Sequence, residues 1–339
     1  MRVPEPCGPL SEGVVRALLR RTDGPRAVPE LEGLTLADPL TDRDFQLALW
    51  MLYELHYRGF DDVDPAAEWD PLLLLCRAGM ERVFEEAVRA LVAEEHDLEA
   101  DQERGESAAE RVVNALVRMT ASEESSLAEH LELRADRDEF CHYLAQRAVY
   151  HLRESDPQSF VLPRIGGAAK VALAELQYDE YGSGRADRLH QALYADALES
   201  LGMPTDLEPY LARATGATLA SVNLMSLFAL NRRLRGAAMG HLAAFEATSS
   251  LPCGQILRGA QRLGLPEAVA DYYDEHVEAD AVHEQLAIRG ICGPMVAEDP
   301  SLAADVVLGA AACLSVDGLA GRAMLEDWAA QRHETRAAG

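Results

Sequence analysis

The stretch YYDEHVEADAVHE, Tyr272 to Glu284, spaces His276, Asp280 and His283 four and then three residues apart. At 3.6 residues per turn those positions superimpose on one helix face. The same stripe carries Tyr272, Tyr273 and Ala287, while Glu275, Glu278 and Glu284 point elsewhere, as a solvated face would. Two imidazoles and a carboxylate are therefore aimed into an apolar interior. Polar groups are costly to bury without partners. A metal ion is the first candidate to meet them.

Other ligand-type residues lie on apolar faces in the same way. Glu246 shares its face with Met239, Leu242 and Ala243, and Glu180 with Leu173, Leu176 and Gln177. His190 sits above Leu193, Tyr194 and Ala197, and Glu154 closes RAVYHLRESDP. The set of three histidines and four carboxylates contains no thiolate. Such donors suit iron or manganese and are numerous enough for two ions, whereas zinc normally needs only three or four ligands. A ferritin-like centre would show two Glu-x-x-His pairs. Here only Asp280-Ala-Val-His283 has that form, and Gly182 and Gly184 interrupt the path from Glu180 to His190. The same residues also admit a different reading, a hydrogen-bonded network inside a helical interaction protein.

Substrate contacts are sought beside these positions. Arg232, Arg233 and Arg235 in NRRLRG precede Glu246 and could pair with a substrate carboxylate. Tyr178, Tyr181 and Tyr194 border the ligand positions. His151 is a second inward-looking histidine, His56 beside Glu54 reads as a packing or interface residue, and His142 and His241 have no assigned role.

The elements that must position this chemistry read as helices throughout. Of the 339 residues, 48% are hydrophobic and 26% charged, ordinary values for a globular protein. A net charge of −26 argues against nucleic acid and anionic membranes as partners. No apolar run is read as long enough to span a bilayer, and MRVPEPCGPLSEG lacks the features of a signal peptide, so the chain is expected in the cytoplasm. Cys7, Cys76, Cys141, Cys253, Cys292 and Cys313 show no metal-like spacing and read as free thiols. Residues 1–35, rich in Pro and Gly, read as an arm. Helices follow after Thr41, from Pro71, and over ESAAERVVNALVRMT. From about 136 they become nearly continuous, including one unbroken helical region from TLASVN to EATSS that Pro252 closes, then PEAVADYYDEH to LAIRG, then DPSLAADVV to WAAQR. The fold expected is an all-α bundle.

The segments YHLRESDP, LPRIGGAAKVALAELQYDEYGSGRADRLHQALY, HLAAFEATSSLP and HVEADAVH make the chain similar to the haem-oxygenase-like diiron oxidases and oxygenases, the iron-containing redox enzymes, over roughly 140–290. The resemblance implies a seven-helix haem-oxygenase-like bundle, the diiron core being set at 131–335; ahead of it the residues read as additional N-terminal helices, with an arm over 1–35 and a helical region over 36–130 packing on the core or at a dimer interface. It implies two Fe(II) ions held by Glu154, Glu180, His190, Glu246, His276, Asp280 and His283, with Glu175 or Asp179 as substitutes for the less regular carboxylates. It implies O2 as co-substrate, and no haem, flavin or nucleotide signature is present. The expected activity is N-oxygenation of a small amine or amino-acid derivative in natural-product biosynthesis, with an external electron donor and a homodimer as further partners. Oxidative C–C cleavage, decarboxylation or desaturation of an amino or fatty acid is the alternative within the family.

Overall fold

The computed structural model describes residues 1–19, 28–29, 36, 38–96, 106–121 and 126–338, and the side chains of all of these except 126, 278–281 and 334–338. Every regular element among the described residues is helical. The first part of the chain supplies α1 (Pro9–Leu19), α2 (Arg43–Glu54), α3 (Pro71–Glu95), α4 (Ala108–Thr120) and α5 (Ser126–Leu133). Then follow α6 (Arg137–His151), α7 (Gly167–Glu180), α8 (His190–Ser200), α9 (Gly216–Leu230) and α10 (Arg235–Ala247). The last group is α11 (Ser250–Arg262), α12 (Glu267–Gln285), α13 (Gly293–Glu298) and α14 (Ala303–Ala338). A π-helix, Leu286–Cys292, joins α12 to α13 and packs on α7.

Local chemistry explains where these helices begin. Asp42 caps α2 by accepting from the Phe45 amide, one residue later than the Thr41 read from sequence. Asp70 does the same for α3, with Pro71 in the first helical position where its missing N–H costs nothing. Ser107 and Glu110 form a reciprocal capping box on α4.

Four readings of the sequence are corrected. The expected arm contains α1, whose buried face (Leu10, Val14, Val15, Leu18) packs on α2. The region from 218 to 250 is not continuous: Asn231 turns extended, and its side chain bonds the Leu227 carbonyl and Glu81 between α9 and α10. Pro252 does not close that region but lies in the first turn of α11, where proline is tolerated. The segment Pro300–His333 is long and apolar enough to cross a bilayer by length and composition, contrary to the reading above. Here its apolar surface is spent on α3, α4, α9 and α10, which makes it the axis of the core.

The closest of these contacts is α10 on α14. A Cβ on Gly240 would stand 1.8 Å from the Val306 carbonyl oxygen, and one on Gly309 2.0 Å from that of Ala237. Backbones therefore touch at this crossing, and the contact fixes the height and rotation of α10, which carries Glu246. A second tie joins α6 to α14 through Arg147, which donates to Asp317 at 3.2 Å, while Ser221 of α9 donates to the same carboxylate at 2.8 Å. Burial raises the Asp317 carboxyl, but Arg147 and Ser221 outweigh it and hold it below its ordinary value.

Two outcomes follow from this packing. Gly309→Ala forces the α10–α14 crossing apart and lowers stability by about 1–3 kcal/mol, the usual cost of overpacking; an unchanged denaturation midpoint contradicts the tight crossing. Asp317 is depressed in the fold, so its contribution is present above its unfolded pKa and lost as pH falls through the folded one. Asp317→Asn should therefore unfold more readily than the parent at pH 7, with the gap closing below about pH 3.9. A gap that persists in acid would assign the loss to shape rather than charge.

Candidate metal centre

Glu154 is presented by a turn, not by a helix. α6 ends at His151, and Ser155 takes the left-handed conformation (φ 66°), which is strained for a residue with a side chain. Neighbours hold it there. Gln177 accepts from the Ser155 hydroxyl and donates to its carbonyl, the Ser155 amide donates to the Tyr150 hydroxyl, and Gln191 donates to the Glu154 carbonyl at 2.9 Å. Glu180 is the last residue of α7 and His190 the first of α8. Between them Gly182, Ser183 and Gly184 all have positive φ. A Cβ on Gly182 would lie 2.6 Å from the Arg188 backbone, so only glycine lets the chain double back this tightly. That reversal brings His190 Nδ1 to 3.2 Å from the Glu180 carboxylate.

The side chains converge into two triads, Glu154–His190–His276 and Glu180–Glu246–His283, each with its ligand atoms within 4.8 Å of one another. All six are at most 6% exposed. His190 joins the triads, since it belongs to the first and touches Glu180 of the second. His276 donates from Nδ1 to the Tyr272 carbonyl at 2.7 Å, and a carbonyl can only accept. In the neutral ring its Nε2 therefore carries the lone pair, and that atom lies 3.6 Å from Glu154 Oε1. Nδ1 of His283 lies 3.3 Å from Glu180 and 3.5 Å from Glu246. Nδ1 of His190 and of His283 are buried without a hydrogen bond of acceptable geometry, as nitrogens aimed at a shared central point would be. These two Glu/His clusters are consistent with a binuclear metal site. The backbone of Asp280 lies on α12, and its side chain lies outside the described residues.

The electrostatics are those of excess buried negative charge. Burial pushes all three carboxyls up, but the outcomes diverge. His151 and His276 outweigh burial at Glu154 and hold it well below the carboxylate range. The neighbouring imidazoles of His190 and His283, at 3.2 and 3.3 Å, outweigh burial and bring Glu180 down to about 2. At Glu246 burial wins and the carboxyl is raised. Burial lowers His283, yet Glu180 and Glu246 override it and push the imidazole up to about 11. Burial also lowers His190, and Glu180 raises it beyond that. Without a metal the raised His283 imidazole carries the charge that balances Glu180 and Glu246, and a divalent cation bound there would take over that role.

Two residues outside the expected set complete the site. Tyr272 donates from its hydroxyl to Glu154 Oε2 at 2.9 Å and lies 2.8 Å from His151 Nδ1. His151 Nδ1 in turn stands 2.8 Å from Glu154 Oε1. Burial lowers His151 against the pull of Glu154. Tyr272 is one turn before His276 on the same stripe, a spacing that signals its inward aim though not its hydroxyl's partner. Of the substitutes, Glu175 is exposed, and Asp179 is half-exposed with Oδ2 3.6 Å from His283 Nε2.

Most of the residues expected to meet a substrate engage other protein groups. Arg232 and Arg233 are exposed; Arg233 pairs with Glu85, and Arg235 pairs with Asp299. Glu85 and Asp299 belong to neither triad. Tyr178 is exposed and donates to the Ser183 carbonyl, so it buttresses the glycine turn. Tyr181 bonds Ser159 at 2.7 Å. Tyr194 is fully buried, donates to the Leu144 carbonyl, and packs its ring against His151 and Tyr272. His56 packs on Trp69, and Glu54 is held by Arg153. His142 accepts from the Trp328 indole, and His241 stacks on Phe245 with its imidazole lowered to about 4 by burial. Removing the Tyr272 hydroxyl leaves a buried carboxylate short of one donor. Tyr272→Phe should therefore cost about 1.5–3 kcal/mol in chemical denaturation of the metal-free protein, and an unchanged midpoint would show that the hydroxyl does not hold Glu154.

Comparison with known proteins agrees with this geometry. Residues 141–318 match the family model described as iron-containing redox enzyme, and they span every residue of the two triads. The chain is also similar to a nitrosourea synthase of Streptomyces achromogenes subsp. streptozoticus, with 30% identity over 168 residues. That match covers 48% of this chain and 35% of the relative, so the chain spans about a third of that protein's length. With more than half of its residues inside the family match and two Glu/His triads at its centre, this chain belongs to the iron-containing redox enzymes, related to the haem-oxygenase-like diiron proteins.

Proposed function

We propose that the chain is a non-haem diiron oxygenase that uses O2 to place oxygen on the nitrogen of a small amine or amino-acid-derived substrate. The observation that carries the reading is the pair of abutting, thiolate-free triads sealed inside the bundle. Glu154, His190 and His276 would hold one Fe(II), and Glu180, Glu246 and His283 the other, with Asp280 as a seventh ligand from α12. Two ferrous ions, if bound there, would supply reducing equivalents for O2. The protein's part is to position, to exclude water and to manage protons. The turn at Ser155 and the reversal at Gly182 hold two carboxylates at fixed height. The Tyr272 hydroxyl anchors Glu154 Oε2 by donating a hydrogen bond to it, and the Tyr272 carbonyl accepts from His276 Nδ1, so that Nε2 is the nitrogen that would coordinate.

Hydroxylating an amine nitrogen with O2 leaves the second oxygen atom to be reduced to water with two electrons and two protons. An external electron donor is therefore part of the proposal. Nitrogen as the site of oxidation is favoured by the similarity to a protein named for making a nitrosourea, a compound with oxygen on nitrogen.

The test is metal content after anaerobic loading with Fe(II), for wild type, His283→Ala and Glu246→Ala, followed by mixing with O2 and a set of small amines. Wild type should retain near two irons per chain, change its visible absorption on meeting O2, and give product with a new N–O bond. Each variant should lose at least one iron and the product. Failure of wild type to retain iron removes the diiron reading. Retention with oxidised carbon but no N–O bond would move the activity to C–H or C–C chemistry.

A further inference from the structure

We propose that Asp179 is the positioning residue of His283, holding the outer face of that imidazole so that its inner nitrogen stays aimed at the Glu180–Glu246 pair. The inference rests on the metal reading above and goes beyond it by assigning a role to a residue that belongs to neither triad. His283 is 1% exposed, and its two nitrogens face opposite carboxylates. Nδ1 looks inward to Glu180 at 3.3 Å and Glu246 at 3.5 Å, and Nε2 looks outward to Asp179 Oδ2 at 3.6 Å. A histidine that gives one nitrogen to a metal donates the N–H of the other to a fixed acceptor, which sets both tautomer and ring rotation. His276 meets that requirement through the Tyr272 carbonyl. Asp179 is the group placed to meet it for His283.

The placement is built into the end of α7. Asp179 and Glu180 are consecutive, so they project about 100° apart around the helix, one toward each nitrogen of the same ring. The turn that follows holds the Asp179 side chain in place. Ser183 donates to Asp179 Oδ1 at 3.1 Å, and Tyr178 donates to the Ser183 carbonyl at 2.7 Å. Ser183 is itself in the left-handed conformation (φ 52°), a strained state that these two bonds help to hold. With Oδ1 engaged by Ser183, Oδ2 is left to face His283. At 3.6 Å the pair is an ion-pair contact beyond hydrogen-bond range, so the two groups must close up when His283 binds a metal. The glycine turn thereby serves the centre twice. It brings Glu180 to His190, and it sets Asp179 behind His283.

The experiment is anaerobic calorimetric titration with Fe(II) of wild type, Asp179→Ala, Asp179→Asn and Glu175→Ala, with the thermal midpoint of each metal-free protein measured alongside. Asp179→Ala should bind its first ion as wild type does and lose about 10–100-fold at one site, the usual effect of removing such a partner. Asp179→Asn keeps an acceptor oxygen and should recover part of that loss. Glu175→Ala removes an exposed charge one turn earlier and should match wild type. The metal-free midpoints should agree, which separates positioning from folding. Wild-type affinity at both sites in Asp179→Ala overturns the assignment, and so does an equal loss in Glu175→Ala, which would reduce the effect to general charge. Failure of wild type itself to bind two ions overturns the metal reading and this inference with it.

Discussion

Three carboxylates share a few ångströms of a core that water does not reach, and the fold around them is shaped by that imbalance. Carboxylates so placed repel one another and lose hydration, and each effect alone would drive them to the neutral form. Histidines on three elements restrain this at Glu154 and Glu180, while Glu246 stays raised and His283 is drawn far above its ordinary value. The arrangement makes sense around positive charge. An apolar residue in place of His283 would leave Glu180 and Glu246 facing each other with no cation between them.

Geometry of this kind tolerates little drift, and the chain spends unusual backbone on it. Ser155 and Ser183 adopt left-handed conformations next to Glu154 and close after Glu180. Both are braced by side chains whose other bonds go to the same neighbourhood. Further out, touching backbones at Gly240 and Gly309 leave α10 no freedom to slide, so Glu246 inherits its position from a contact with nothing chemical about it. The rigid crossing and the strained turns act together: one fixes a helix, the others fix the residues that helices cannot present.

Much of this was legible in the residues themselves. The α12 stripe follows from helical periodicity, and Glu180, His190 and Glu246 follow from ligand-type side chains on apolar faces. What escaped the reading depended on tertiary context. Tyr272 looks like packing until its hydroxyl is seen to meet Glu154, because an aromatic ring on an apolar face is usually core. The arginines of NRRLRG precede Glu246 in sequence, but Asn231 breaks the helix, and Arg233 meets Glu85 while Arg235 meets Asp299. Pro252 reads as a stop by itself and as a start only when α11 is known to follow. Gly182 and Gly184 are the instructive case. Their break argued against a ferritin-like motif, and the same break is what lets Glu180 meet His190.

The central place of α14 bears on how the chain is made. Residues 71–95 and 108–120 rest in part against residues synthesised only after position 303, so that part of their apolar surface lacks its native partner while the middle of the chain is translated. Folding of such a molecule closes late, through contacts distant in sequence, which slows the search and leaves sticky surface on nascent chains. Molecular chaperones that shield those faces until the long helix arrives would then govern how much of the protein a cell can accumulate.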